Sequence, residues 1–141
     1  MLRRSLLLAG FVVAFAGAAS AATVKFHATL SAASEVPPTK STGSGEATAT
    51  LDTTTHELTY DVMFSGFSSA VTAAHFHGPA AAGKNAGVLV PLGNNPTSPI
   101  HGTAKLTPEQ EQQLTAGEWY VNVHSKNNPS GAIRGQMMEV K

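Results

Sequence analysis

The strongest constraint on this chain is a two-residue rhythm of apolar and polar side chains, repeated in short runs that turn residues interrupt. Val24, Phe26, Ala28 and Leu30 share one face of a first run, with Lys25, His27 and Thr29 on the other. Ala47, Ala49 and Leu51 repeat the pattern. After the turn Asp52–Thr55 so do Leu58, Tyr60, Val62 and Phe64, and the pair reads as a hairpin. Further strands are expected over Thr72–His77, Val88–Leu92, His101–Leu106, Trp119–His124 and Ile133–Met138. One helical signal interrupts them, near 107–116: Thr107 as N-cap, Pro108 at the first position, Gln110 as the capping-box partner and Gly117 as the stop. Seven or eight short strands with a single short helix predict an all-β fold, an antiparallel Greek-key β-sandwich or barrel.

Composition narrows what such a fold can do. The 141 residues suit one domain. Nine Lys and Arg balance nine Asp and Glu, which argues against nucleic-acid binding. No cysteine is present, so disulfides, thiolate metal sites and cysteine nucleophiles are excluded. The six histidines are then the residues able to carry chemistry.

The N-terminal end reads as a cleaved secretory signal peptide over 1–22, preceding a domain over 23–141. Arg3 and Arg4 open it, Leu6–Phe15 is apolar, and Ala19-Ser20-Ala21 is an A-x-A cleavage site. Its removal leaves seven basic residues against nine acidic ones, a slightly acidic protein. The expected location is periplasmic or secreted, with no membrane association after cleavage.

His75-Phe76-His77 is the sharpest local motif. On a strand both imidazoles project from one face, roughly 6.5–7 Å apart along the chain. His124 ends a strand whose other face carries Trp119, Val121 and Val123, so it too avoids the apolar side. If the two strands are neighbours, three imidazoles meet, and a preformed site would set their nitrogens about 3–4 Å apart. Three histidines without thiolates suit copper or zinc, and raw affinity favours copper. His27 and His101 are outside candidates as further ligands, and His56 falls in a turn, in solvent. No catalytic residue emerges: Asp61 has no second carboxylate spaced to pair with it, and Ser68 and Ser69 stand in no nucleophile elbow.

These motifs taken in order resemble the CHRD domain, first described in chordin and widespread in bacterial exported proteins. The resemblance runs from Leu30-Ser31-Ala32-Ala33-Ser34-Glu35-Val36-Pro37-Pro38 through Ala74-His75-Phe76-His77-Gly78-Pro79-Ala80 and Leu106-Thr107. It ends in Gly117-Glu118-Trp119-Tyr120-Val121-Asn122-Val123-His124-Ser125 and Pro129-Ser130-Gly131-Ala132-Ile133-Arg134-Gly135-Gln136. It implies an exported domain without an assigned activity. In chordin such domains accompany modules that bind secreted growth factors, a partner that does not carry over to this chain; the expected partners are a metal ion and another exported protein.

A fainter likeness is to the Cu,Zn superoxide dismutases. It implies a similar sandwich, a copper site at His75, His77 and His124, and Arg134 as an anion guide. The departures are plain: Gly78–Gly93 lacks His and Asp, His101-Gly102 is followed by Thr103, and no disulfide can form. The expected function is metal handling through the three histidines. The alternatives are a dismutase-like copper enzyme and a metal-free adhesion or scaffold module. The scaffold alternative predicts rings that point apart, or rings bonded to protein at both nitrogens.

Overall fold

The computed structural model describes residues 12–15, 17 and 22–141. The signal peptide expected over 1–22 therefore lies mostly outside the described residues.

Among them the chain forms nine strands. They are β1 (Thr23–Leu30), β2 (Ser44–Asp52), β3 (Glu57–Ser65), β4 (Val71–His77), β5 (Val88–Asn94), β6 (Ile100–Lys105), β7 (Tyr120–Ser125), β8 (Asn128–Gln136) and β9 (Met138–Glu139). A 3-10 turn occupies Ala32–Ser34, and the helix α1 spans Pro108–Thr115. Two antiparallel sheets result, ordered β6-β3-β2-β1-β9 and β5-β4-β7-β8. The chain changes sheet between β3 and β4, between β5 and β6, between β6 and β7 and between β8 and β9, the first three being crossings of the Greek-key kind. The expected all-β sandwich is what forms.

The alternation explains the layering. Phe26, Ala28, Leu30, Ala49, Leu51, Leu58 and Val62 of the first sheet face Ala74, Phe76, Val121, Val123 and Ile133 of the second, all buried. A fully buried aliphatic or aromatic side chain contributes about 1.5–3 kcal/mol, so this interior, not any covalent link, holds the sheets together. Trp119, just before β7, packs at the centre beside Phe76 (ring centroids 5.9 Å apart).

The strand count exceeds the expected seven or eight because the last strand divides. At buried Met137 the chain leaves β8 in one sheet and enters β9 in the other, its N–H donating to the Trp119 carbonyl at 2.9 Å. Met138 is then exposed on the far sheet.

The helix begins as the capping box requires. Thr107 Oγ1 accepts from the Gln110 N–H at 3.2 Å, and Gln110 Oε1 accepts from the Thr107 N–H at 3.0 Å. It ends in a Schellman motif: Gly117, at φ 76°, donates to Leu114 O, and Glu118 donates to Gln113 O. That reversal delivers Trp119 and β7 into the second sheet.

On that sheet the side opposite the core is itself covered. Tyr120 and Asn122 are buried there although they alternate with Val121 and Val123, so both faces of β7 are packed. The cover is the connection from Gly78 to Gly87. Its Ala86 donates to Tyr120 Oη at 3.0 Å, and Ala80 O accepts from Gln136 Nε2 at 2.8 Å.

Candidate metal centre

The second sheet's register assembles the site. β4 and β7 are antiparallel neighbours with His75 opposite Asn122 and His77 opposite Tyr120. β8 continues the rows, with Arg134 opposite Asn122 and Gln136 opposite Tyr120. A row His75–Asn122–Arg134 thus crosses three strands on the face away from the core. A register shift between Val71 and Ala73 places His124 opposite Ala73, diagonal to His75 and within reach of it.

Those positions bring His75, His77 and His124 together, with one ligand atom from each lying within 4.8 Å of the others. His75 Nδ1 is 3.1 Å from His124 Nε2, inside the spacing expected of a preformed site. The rings of His75 and His124 meet edge to face at 4.8 Å, and those of His75 and His77 at 5.5 Å. His77 is 8% exposed, while His75 and His124 are partly open.

The hydrogen bonds around the rings fix which nitrogens are free. His77 Nδ1 lies 3.0 Å from Ala86 O, and His124 Nδ1 lies 2.8 Å from Pro129 O. A carbonyl oxygen only accepts, so each Nδ1 carries the hydrogen and each neutral ring presents a lone pair at Nε2. Both lone pairs face Asn122 Oδ1, at 3.0 Å from each. Two ring lone pairs and an amide oxygen therefore converge, and the ring hydrogen within reach of them is that of His75 Nδ1, 3.1 Å from His124 Nε2, a place that a metal cation can take instead. The site fits a cation on its donor chemistry, with His75 Nδ1, His77 Nε2 and His124 Nε2 as the nitrogens able to hold it.

The environment favours the neutral forms of His75 and His77. Burial, aided by His124 and His77, holds His75 below the ordinary 6.5. Burial likewise holds His77 low, with His124 and Arg134 adding to it, and outweighs the hydrogen bonds to Ala86 and Asn122 that favour the cation. Neutral imidazole is the ligand form. A stability effect follows for the metal-free domain. Unfolding lets both rings bind protons more readily, so their contribution is complete above 6.5 and is lost as the pH falls through their lowered folded values. Urea midpoints measured downward from pH 7 should drop in that window, and a flat profile would contradict the account. Glu35 acts in the opposite sense: burial outweighs Arg134 and raises it above 4.5, so its share is lost as pH rises through that folded value.

Arg134 is not placed as an anion guide requires. It is 5% exposed and engaged throughout: Nε donates to Glu35 Oε2 at 3.1 Å, Nη1 to Lys84 O at 3.1 Å and Nη2 to Asn85 Oδ1 at 2.6 Å. Its Nη2 also pairs with Glu35 Oε2 at 3.0 Å, and its Cζ lies 4.0 Å from the centroid of the Tyr120 ring. His77 stacks on Tyr120 as well, at 4.8 Å and an interplanar angle of 4°. Arg134 is therefore a strut that ties the Gly78–Gly87 cover and Glu35 to the back of the histidine group.

The outside candidates do not join it. His27 pairs across with Thr48 and Met138, and His101 hydrogen-bonds Asp61, both on the other sheet. His56, at φ 61°, leaves the solvent expected for it on one side to bond Glu111 at 2.9 Å.

Two members of the site escaped the sequence reading. Asn122 carried a signal, since it shares the polar face of its strand with His124. Glu35 carried none: it reaches the site from the irregular stretch after the 3-10 turn, and no periodicity marks it. Gly131 makes their approach feasible, at φ 130°, because a Cβ there would lie 2.6 Å from Glu35 Oε1 and 2.8 Å from Asn122 Nδ2.

The order of these elements is also a family signature: the sequence profile of the CHRD domain matches residues 26–137. The chain belongs to the CHRD family. The match runs from Phe26 within β1 to Met137, and so includes every residue of the histidine group. No curated protein and no solved structure matches the chain. The likeness to the dismutases thus stays at the level of motif order.

Proposed function

We propose that this CHRD domain binds one divalent metal ion, copper before zinc, through His75, His77 and His124, and serves in metal handling outside the cytoplasm. The observation that carries the reading is the convergence of three ring nitrogens within 4.8 Å, two of them stripped of their hydrogens by backbone carbonyls on the opposite ring atom. Copper stands before zinc because nitrogen sites bind Cu(II) more tightly along the Irving–Williams order. When bound, the ion would supply Lewis acidity or electron transfer, while the chain's own residues orient the rings and exclude water from one side. Export rests on the leader-like residues Arg3, Arg4, Leu6–Phe15 and Ala19-Ser20-Ala21. Among the described residues no helix is long and apolar enough to cross a membrane.

One observation favours a second reading, the scaffold module. Both nitrogens of His77 and of His124 have polar neighbours, as a purely structural network would require. The Asn122 oxygen beside each Nε2 is an acceptor, however, so neutral His77 gains no hydrogen bond there and neutral His124 gains one only from His75 Nδ1, at 3.1 Å. A dismutase-like activity is less well served, since Arg134 presents no exposed charge.

Titrating Cu(II) and Zn(II) into the chain from residue 23 onward, against a competing chelator, separates these readings. The expected result is one ion per chain, Cu(II) tighter than Zn(II), with binding that weakens as acid protonates the ligands. Absence of binding at micromolar metal would leave the scaffold reading standing.

A further inference from the structure

We infer that Asn122 is a fourth ligand, an amide oxygen presented to the ion by Glu35 and Arg134, and that it selects divalent metal over Cu(I). The inference rests on the three-histidine reading above and adds a donor of a different kind.

The geometry comes from the row His75–Asn122–Arg134 across β4, β7 and β8. Asn122 is 1% exposed, so its amide is committed to partners inside the protein. Oδ1 stands 3.0 Å from His77 Nε2 and 3.0 Å from His124 Nε2, and His124 Nε2 stands 3.1 Å from His75 Nδ1. Ligands held about 2.0–2.1 Å from one tetrahedral ion lie roughly 3.3–3.4 Å apart. Three edges of such a figure are therefore in place before any ion arrives, and two of them end on Asn122.

The amide's orientation follows from its other end. Asn122 Nδ2 lies on the side of Glu35 Oε1, a buried carboxylate oxygen with no hydrogen-bond partner. Turning the amide over would set its oxygen against that carboxylate. Arg134 holds Glu35 through the other oxygen, at 3.0 and 3.1 Å, and so leaves Oε1 for the amide. Arg134 and Glu35 are positioning residues: they aim the Asn122 oxygen at the histidines. A hard amide oxygen beside three imidazoles suits Cu(II) and Zn(II), whereas Cu(I) prefers soft sulfur donors.

The test uses the parent chain and two variants, Asn122→Ala and the exchange Asn122→Asp with Glu35→Gln, which keeps an oxygen donor and supplies a new amide behind it. Affinities for Cu(II) and Cu(I) are measured by chelator competition, and Cu(II) spectra by electron paramagnetic resonance. Expected for Asn122→Ala is a loss of about tenfold or more in Cu(II) affinity, an altered spectrum and little change toward Cu(I). The exchange variant should recover the parent spectrum. A measurement on the parent alone guards against misfolding of either variant: Zn(II) should shift the Asn122 side-chain 13Cγ resonance. Unchanged affinity and spectrum in Asn122→Ala, or an unmoved 13Cγ signal, would overturn the inference while His124→Ala still lost binding. If His124→Ala bound as the parent does, the three-histidine reading itself would fail.

Discussion

Replacing His124 with alanine lowers Cu(II) affinity by about a hundredfold or more and leaves the domain folded. Removing an outer partner of a metal ligand costs 10–100-fold, so losing a ligand belongs at or beyond the top of that range, about 2.7 kcal/mol. His124 is also the hub of the group, since its Nε2 faces both His75 Nδ1 and Asn122 Oδ1. It is only partly buried and lies on the face away from Val121 and Val123, so truncation leaves the core untouched. His75→Ala should behave alike. His27→Ala and His101→Ala are the controls and should bind as the parent does, because both residues lie on the other sheet. A competition titration across these four variants reads the difference. Equal affinity for His124→Ala and His27→Ala would remove His124 from the site.

Replacing Arg134 with alanine produces the largest loss of stability, about 3–5 kcal/mol, the range for removing one partner of a buried ion pair. Glu35 is 3% exposed and would be left without its cation, in a place where burial already penalises its charge. Lys84 O and Asn85 Oδ1 would lose their donors too, which loosens the cover over Tyr120 and His77. The double variant Arg134→Ala, Glu35→Gln should recover part of the loss, because no unpaired charge then remains. Urea unfolding of the parent and the two variants at pH 7 measures it. A single-variant loss under 1 kcal/mol would mean that the pair is better solvated than its burial indicates.

How far the site was legible follows from what alternation encodes. Period two assigns a face to each residue, so it placed Trp119 inside and His75, His77 and His124 outside, and it recovered most strands to within a few residues, though it missed Asn128–Ala132 of β8 and the break before β9. It carries no information about register. That His75 meets Asn122, and Asn122 meets Arg134, depends on the pairing of β4, β7 and β8, which no local pattern contains. Arg134 illustrates the gap. The likeness to the dismutases implied an anion guide there, yet the Gly78–Gly87 connection folds over that face and buries it, so that Arg134 holds a loop. His27 and His101 shared the polar-face signature of the ligands, but Greek-key connections sent their strands to the opposite side of the sandwich.

The central claim is that three imidazoles on β4 and β7 hold one ion. Its most direct test is a crystal structure of the Cu(II)- or Zn(II)-loaded chain, with anomalous data collected at the metal's absorption edge. The account predicts a single strong anomalous peak about 2.0–2.1 Å from His75 Nδ1, His77 Nε2 and His124 Nε2, with the Nδ1 contacts to Ala86 O and Pro129 O retained. Metal at His27, His101 or another surface histidine, with those three rings unshifted and empty between them, would contradict it.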